Sequence, residues 1–215
     1  MVAPTLSQSL TIVGPAGNIE ALLDAPAAAT ANAVAVICHP HPLHGGTMTN
    51  KVVHTLSKAF NDVGAPAVRF NYRGVGASAG TYDDGNGETQ DALAVLDWAQ
   101  QRWPGAQLWL GGFSFGGAVA IRASVAPSHA PAIARLVTVA PAIRRVSVDS
   151  STPPRCPWLI VQGDRDELVE PADIQQWAQA LSVQPRLAML SGVEHFFHGR
   201  LHDLRTTVAS WLGME

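Results

Sequence analysis

The sequence predicts an α/β fold: a mostly parallel central sheet with helices on both faces, preceded by an antiparallel hairpin. Three observations carry this. Short apolar runs of strand length alternate with amphipathic stretches of helical spacing from residue 34 onwards. The first run, Val34-Ala35-Val36-Ile37-Cys38, is apolar throughout, as in a strand buried on both faces. The stretch 108–121, LWLGGFSFGGAVAI, reads as strand, sharp glycine turn and helix in immediate succession. In such sheets ligands bind outside the carboxyl ends of the strands, so chemistry is expected in the loops there.

Taken in order, residues 9–13 and 19–23 are two short strands. Pro15-Ala16-Gly17-Asn18 between them is a turn signal and makes them a hairpin. The alanine-rich stretch 25–33 is a loop. The 34–38 strand runs into His39-Pro40-His41-Pro42-Leu43-His44-Gly45-Gly46, where prolines and glycines disfavour regular structure. Residues 50–63 form an amphipathic helix with Val53, Leu56 and Phe60 on one face. A strand at 67–70 leads into a second glycine-rich loop, 71–80. The next helix, 88–101, turns Ala92, Leu93 and Leu96 towards a core and is stopped by Pro104-Gly105. The 108–110 strand and its helix, ending near Ser124, come next. Strands follow at 136–139, 158–161 and 187–190, with helices at 172–181 and 201–212. No internal repeat, low-complexity tract or linker interrupts this order, so residues 1–215 are read as one domain.

A chain of 215 residues can bury a sizeable core, and 47% hydrophobic with 14% charged residues is a globular composition. A formal charge of -3, with no basic run or basic–aromatic stripe, argues against a nucleic-acid partner. The opening MVAPTLSQSLTIVG lacks a positive n-region and a long apolar core, so no signal peptide is expected. The apolar stretches are too short for a membrane span. Cys38 and Cys156 both border strand-like runs and read as buried free thiols of a reducing compartment, which points to the cytoplasm. The six tryptophans read as packing residues. Nothing in the sequence sets the oligomeric state.

Gly112-Phe113-Ser114-Phe115-Gly116 fits G-x-S-x-G. On a strand–turn–helix this pattern is a nucleophile elbow, in which small residues let strand and helix approach and a strained serine presents its Oγ. The unpaired N–H groups of the following helix point towards that serine. A turn that needs glycine only for packing would carry the same pattern, so the serine's partners decide. A serine hydroxyl is a weak nucleophile at neutral pH; it needs a base, usually His, and the base needs an orienting carboxylate. Behind an elbow the chain order is Ser, acid, His. Gly163-Asp164-Arg165-Asp166-Glu167 follows the 158–161 strand, and Ser191-Gly192-Val193-Glu194-His195-Phe196 follows the 187–190 strand. An acid and a histidine thus stand in the required order at strand ends. Asp164, Asp166 and Glu167 compete for the acid, and His198 and His202 compete with His195. Asp149 precedes a Pro-rich loop and is set aside. One oxyanion donor is the N–H of the residue after the nucleophile, Phe115. The other comes from the 39–46 loop, where Pro40 and Pro42 have no N–H to offer.

The sequence resembles the α/β-hydrolase superfamily over nearly its whole length. Within it, the chain is similar to small serine hydrolases, related to dienelactone hydrolases and small esterases, that carry HPHP…GG and N-x-R-G-x-G-x-S-x-G loops; these are 39–46 and 71–80 here. The resemblance implies Ser114 as nucleophile. Its G-x-x-D-x-x-V pattern puts the acid on Asp166, and its G-x-x-H-F-F pattern puts the base on His195. Likeness to H-G-x loops makes His41 the second oxyanion donor, with Leu43 as the alternative. The 71–80 loop becomes a structural element beside the active site, with Arg73 making buried hydrogen bonds. Dienelactone hydrolases use a cysteine nucleophile, and the serine here departs from that activity. The implied reaction is hydrolysis of small carboxylic esters through an acyl-enzyme. Thioesters, lactones and acyl transfer are open to the same machinery, and a non-catalytic binding protein on this fold is the alternative from another class. Lids in this superfamily interrupt the chain after the strand that here ends near Ala140. Residues 141–157 leave no room for a helical cap. An open, shallow site suited to short acyl groups is therefore expected, floored by Phe115, Leu43, Leu168 and Phe196.

Two further patterns read as structural. His39, His41 and His44 cluster on a Pro-broken loop without a supporting acid or cysteine set, unlike a fixed tetrahedral zinc site, so no metal is expected. Gly74-Val75-Gly76-Ala77-Ser78-Ala79 fits the relaxed dinucleotide pattern G-x-G-x-x-A. Gly80, Asp83, Asp84, Gly85 and Gly87 continue the loop, however, and open no helix N-terminus for a pyrophosphate. No cofactor is expected, and the expected partner is a small-molecule ester.

Overall fold

The computed structural model describes residues 6–26, 28–129, 132–146 and 148–214. Eight strands form one sheet in the order β1-β2-β4-β3-β5-β6-β7-β8. They are β1 (Leu6–Gly14), β2 (Gly17–Ala25), β3 (Ala33–Cys38), β4 (Ala67–Phe70), β5 (Gln107–Phe113), β6 (Ile133–Val139), β7 (Trp158–Gly163) and β8 (Arg186–Leu190). β1 and β2 form the expected antiparallel hairpin, and β2 also pairs antiparallel with β4. From β4 through β3 to β8 every pairing is parallel. Among the described residues the five α-helices are α1 (Lys51–Asp62), α2 (Asn86–Arg102), α3 (Phe115–Ser124), α4 (Pro171–Ala180) and α5 (Leu201–Leu212).

Two cores sandwich the sheet. α1 and α5 bury Val53, Leu56, Phe60, Leu204 and Val208 on one face. α2, α3 and α4 bury Val95, Leu96, Val119, Ile121 and Ile174 on the other. Each of these large side chains, taken out of water completely, stabilises the fold by about 1.5–3 kcal/mol. All six tryptophans are buried or half-buried, Cys38 is buried, and Cys156 is half-buried.

The path reverses at β3. It steps to β4 on one side, then crosses to β5 on the other, so α1 and α2 fall on opposite faces. This switch opens a crevice at the carboxyl ends of β3 and β5, where the 39–46 loop faces the 112–116 turn.

Helix starts follow side-chain chemistry. Asn50 Oδ1 accepts from the N–H groups of Val52 (2.9 Å) and Val53 (3.4 Å), so Asn50 caps α1 rather than belonging to it. Glu88 reaches back to the Gly85 N–H at 2.7 Å, which lets α2 begin two residues before the expected 88. Several elements run longer than their apolar cores. β6 starts at Ile133 rather than 136 because Arg135, which breaks the apolar run, lies over the rings of Trp109 (5.7 Å) and Trp211 (5.5 Å). The 39–46 loop, expected to be irregular, contains a short 3-10 turn over Pro42–His44. Among the described residues between β6 and β7 there is no helix, so no cap stands over the strand ends. No described helix is long and apolar enough to cross a membrane.

Candidate active site

β5 ends at Phe113 and α3 begins at Phe115, leaving Ser114 alone to make the turn. Ser114 adopts φ 55, ψ -118, a conformation that L residues rarely hold. Neighbours over-determine it. Its N–H donates to the Val139 carbonyl (2.9 Å), and its carbonyl accepts from Ala142 (3.0 Å) and Ala118 (3.2 Å). The flanking glycines are required by contact: a Cβ on Gly112 would strike the Gly116 carbonyl, and one on Gly116 would strike the carbonyls of Cys38 and His39.

The serine Oγ lies 3.1 Å from His195 Nε2. On the other side of the ring, His195 Nδ1 lies 2.8 Å from Asp166 Oδ2 and 3.0 Å from Oδ1. A carboxylate only accepts, so Nδ1 carries the hydrogen and Nε2 is free to accept the serine proton. Asp166 and His195 are 4% and 2% exposed. Burial opposes ionisation of Asp166. The hydrogen bond and charge of His195, with the amides of Val169 and Leu168, outweigh it and hold the carboxyl below its usual range.

The competing acids and histidines have other partners. Asp164, exposed, accepts from the Gly192 N–H at 2.6 Å, and Glu167 accepts from the backbone N–H of His195 at 3.3 Å. His198 and His202 are exposed, and His198 pairs with Glu194. Asp149 is exposed and accepts from the Ser151 N–H at 2.8 Å.

The Phe115 N–H, at the first position of α3, has no acceptor among the described residues. Neither has the His41 N–H. The Leu43 N–H is different: it donates to His41 Nδ1 at 3.2 Å and is already occupied. That bond leaves the hydrogen of neutral His41 on Nε2, where it donates to Tyr82 Oη at 3.2 Å. Burial, with the charges of His44 and Arg145, holds the His41 imidazole below its usual pKa against the opposing pull of Asp84.

Phe115 is buried and packs on the His41 ring at 4.9 Å. Leu43, Leu168 and Phe196, expected in the floor, are instead 67%, 53% and 41% exposed. They lie on the segments that follow β3, β7 and β8, and form an exposed rim at these strand ends rather than a covered floor. Beside that rim a cleft of about 200 Å³ runs between Ala142, Ile143, Arg145, Leu168 and Val169.

The three loop histidines diverge. His39 turns inward to the Pro40 carbonyl and the Tyr72 N–H, His41 turns to Leu43 and Tyr82, and exposed His44 stacks on His41. Arg73 makes its expected bonds as a fork on Asp91, at 2.8 and 3.0 Å. The 71–80 loop stays non-helical, and α2 starts only at Asn86. Cys38, at the end of β3, is no rival nucleophile, because burial pushes its thiol up to about 12.

One polar side chain in this site escapes sequence reasoning. Gln162 Nε2 donates to Asp166 Oδ2 at 2.9 Å. Its signal was a lone amide in the otherwise apolar run of β7.

Comparison with known proteins shows the family and the fold. The family model described as "Serine aminopeptidase, S33" matches residues 31–155. An uncharacterised protein of Rickettsia prowazekii is 36% identical over 208 residues, covering 93% of this chain and 86% of that protein. An α/β serine hydrolase homologue from Coxiella burnetii is 40% identical, with a TM-score of 0.89 over 96% of this chain and 97% of its own. A lidless α/β serine hydrolase from Xanthomonas campestris is 39% identical, with a TM-score of 0.88 over 98% and 95%. The chain belongs to the lidless serine hydrolases of the α/β-hydrolase fold, in the family described as serine aminopeptidase, S33.

Proposed function

We propose that this hydrolase cleaves small carboxylic esters through an acyl-enzyme on Ser114. The observation that carries the reading is the unbroken line from Ser114 Oγ through the His195 ring to the Asp166 carboxylate, set at a strained turn where a helix begins. His195 Nε2 takes the serine proton as Oγ attacks the ester carbonyl, then gives it to the departing alcohol. Asp166 holds the ring in the accepting tautomer and stabilises the imidazolium that forms. The amides of Phe115 and His41 receive the oxyanion; each such donor is worth roughly 3 kcal/mol in the transition state. Water, activated by the same histidine, releases the acid and restores the serine. The substrate is a small molecule, and the exposed rim of Leu43, Leu168 and Phe196 suits short acyl groups. The two free thiols fit action in the cytoplasm.

The description of the matched family favours a second reading, cleavage of short peptides from the amino end by the same acyl transfer. Turnover of p-nitrophenyl acetate set against aminoacyl p-nitroanilides separates the two. Labelling with a fluorophosphonate tests the common mechanism: wild type reacts and Ser114→Ala does not. Absent labelling of wild type, or equal labelling of both, sinks it.

A further inference from the structure

His39 is fully buried under the 39–46 loop, and the chemistry proposed above gives it no part. Its ring meets two backbone groups. Nε2 stands 3.2 Å from the Tyr72 nitrogen, whose N–H can only donate, so Nε2 is the bare nitrogen and Nδ1 carries the hydrogen. Nδ1–H then donates to the Pro40 carbonyl at 2.7 Å. That carbonyl and the His41 N–H are the two ends of one peptide group. The peptide is trans, so they point in opposite directions, and a grip on one sets the aim of the other.

From this geometry we infer that His39 is a positioning residue for the oxyanion hole, holding the Pro40–His41 peptide so that the His41 N–H faces the developing negative charge. The bond on the carbonyl also polarises the peptide and strengthens its N–H as a donor. The surroundings keep this grip stiff. The His39 ring lies 4.2 Å from the Tyr72 ring. The His41 carbonyl, on the far side of the residue, accepts from the N–H groups of His44 (3.1 Å) and Gly46 (3.0 Å). The Gly116 Cα is packed against the His39 carbonyl, so the serine turn and the gripped peptide share one rigid frame. Histidine suits this place because its two nitrogens do opposite jobs: one accepts from β4's extension, the other donates into the loop.

The inference rests on the His41 N–H reading, and three substitutions test it in p-nitrophenyl acetate turnover. Asparagine puts an N–H where His39 has Nδ1, glutamine puts one nearer Nε2, and leucine has none. His39→Leu and His39→Gln are expected to lower kcat about 10- to 100-fold with KM within about twofold, since a displaced donor fails in the transition state only. His39→Asn is expected to recover most of the loss. Affinity for a trifluoromethyl ketone, which forms a hemiketal oxyanion on the serine, is expected to fall in parallel with kcat. Equal losses in all three variants, with KM rising in step, would mark a merely structural histidine and overturn the inference; so would an unchanged kcat in His39→Leu. Should the variants not fold, nitrogen NMR of the wild-type ring decides: hydrogen on Nδ1 supports the inference and hydrogen on Nε2 overturns it. Ser114→Ala run alongside separates the two levels. Its equal turnover with wild type overturns both readings, whereas its inactivity beside a fully active His39→Leu overturns only this one.

Discussion

Gln162 Nε2 donates to Asp166 Oδ2 at 2.9 Å from four residues back in the chain, at the end of β7. With it, both carboxylate oxygens are filled: Oδ1 accepts from the amides of Leu168 (2.9 Å) and Val169 (2.8 Å), and Oδ2 faces Gln162 and His195. The carboxylate is thereby held facing His195 Nδ1. Gln162→Leu removes the bond to Asp166, worth about 1–1.5 kcal/mol, together with the same amide's bonds to the carbonyls of Gly163 (3.3 Å) and Val169 (3.2 Å); the loss at Asp166 alone corresponds to roughly a five- to tenfold drop in kcat. Gln162→Glu sets a like charge against Asp166 and is expected to lose more. KM should hardly move, because Gln162 touches no substrate. Steady-state kinetics of the two variants check this, and a glutamate variant as fast as wild type contradicts the role.

Ser114 holds φ 55 because its neighbours leave no other path between β5 and α3. Such a conformation costs a non-glycine residue about 1–3 kcal/mol. Ser114→Ala and Ser114→Gly both remove the Oγ and should both be inactive. They differ in stability: glycine escapes the strain, and even after its larger unfolded-state entropy it should exceed alanine by about 1 kcal/mol. Urea unfolding of the two inactive proteins measures the gap. An alanine variant as stable as the glycine one means that the turn stores no strain.

The strand ends made this site legible. Ser114, Asp166 and His195 each follow an apolar run, and runs of that kind become parallel strands whose carboxyl ends converge. Which acid faces the imidazole was not legible from spacing. Asp164, Asp166 and Glu167 lie within four residues of one another, yet Asp164 accepts from the Gly192 amide and Glu167 from the His195 amide. The partners of His39 were hidden for another reason. They depend on the register of β3 against β4, where Ile37 sits opposite Arg69 and so brings His39 level with the residues before Tyr72. No local pattern encodes that pairing. The exposure of Leu43, Leu168 and Phe196 was not legible, because an apolar side chain in a loop reads the same whether or not another segment covers it.

The exposed rim makes a prediction about chain length. With Leu43, Leu168 and Phe196 open to solvent and no cap above Ser114, a long acyl chain finds little surface to leave water for. Each buried methylene would add about 0.8 kcal/mol, and most methylenes beyond the first few would remain wet. Turnover of p-nitrophenyl esters should therefore peak at acetate or butyrate and fall for dodecanoate. A rise in kcat/KM with each added methylene would refute the open-site reading.

Stability should fall with pH in two stages, from groups of opposite kind. Burial pushes the His39 imidazole from 6.5 down to about 3, against the opposing effect of the bond that its Nδ1–H donates to the Pro40 carbonyl. Between those values the unfolded chain binds a proton that the native ring refuses. Native stability from this group is therefore intact above pH 6.5 and declines by about 1.4 kcal/mol per pH unit as pH falls towards 3. His41 and His54, also held low chiefly by burial, act in the same direction. Asp24 enters later. Burial opposes its ionisation, but the Arg69 fork, at 2.6 and 3.0 Å, and the hydroxyls of Ser57 and Ser7 hold it below 3.8. Its contribution, like that of Asp166, is present above 3.8 and lost as pH falls through the lowered native value. Urea midpoints measured from pH 7.5 to 4.5 isolate the first stage. His39→Asn should flatten the slope there by about one proton, roughly 1.4 kcal/mol per pH unit, while leaving the steeper loss below pH 4 in place. A slope identical to wild type would mean that His39 takes up its proton in the folded protein and is not held neutral between Tyr72 and Pro40.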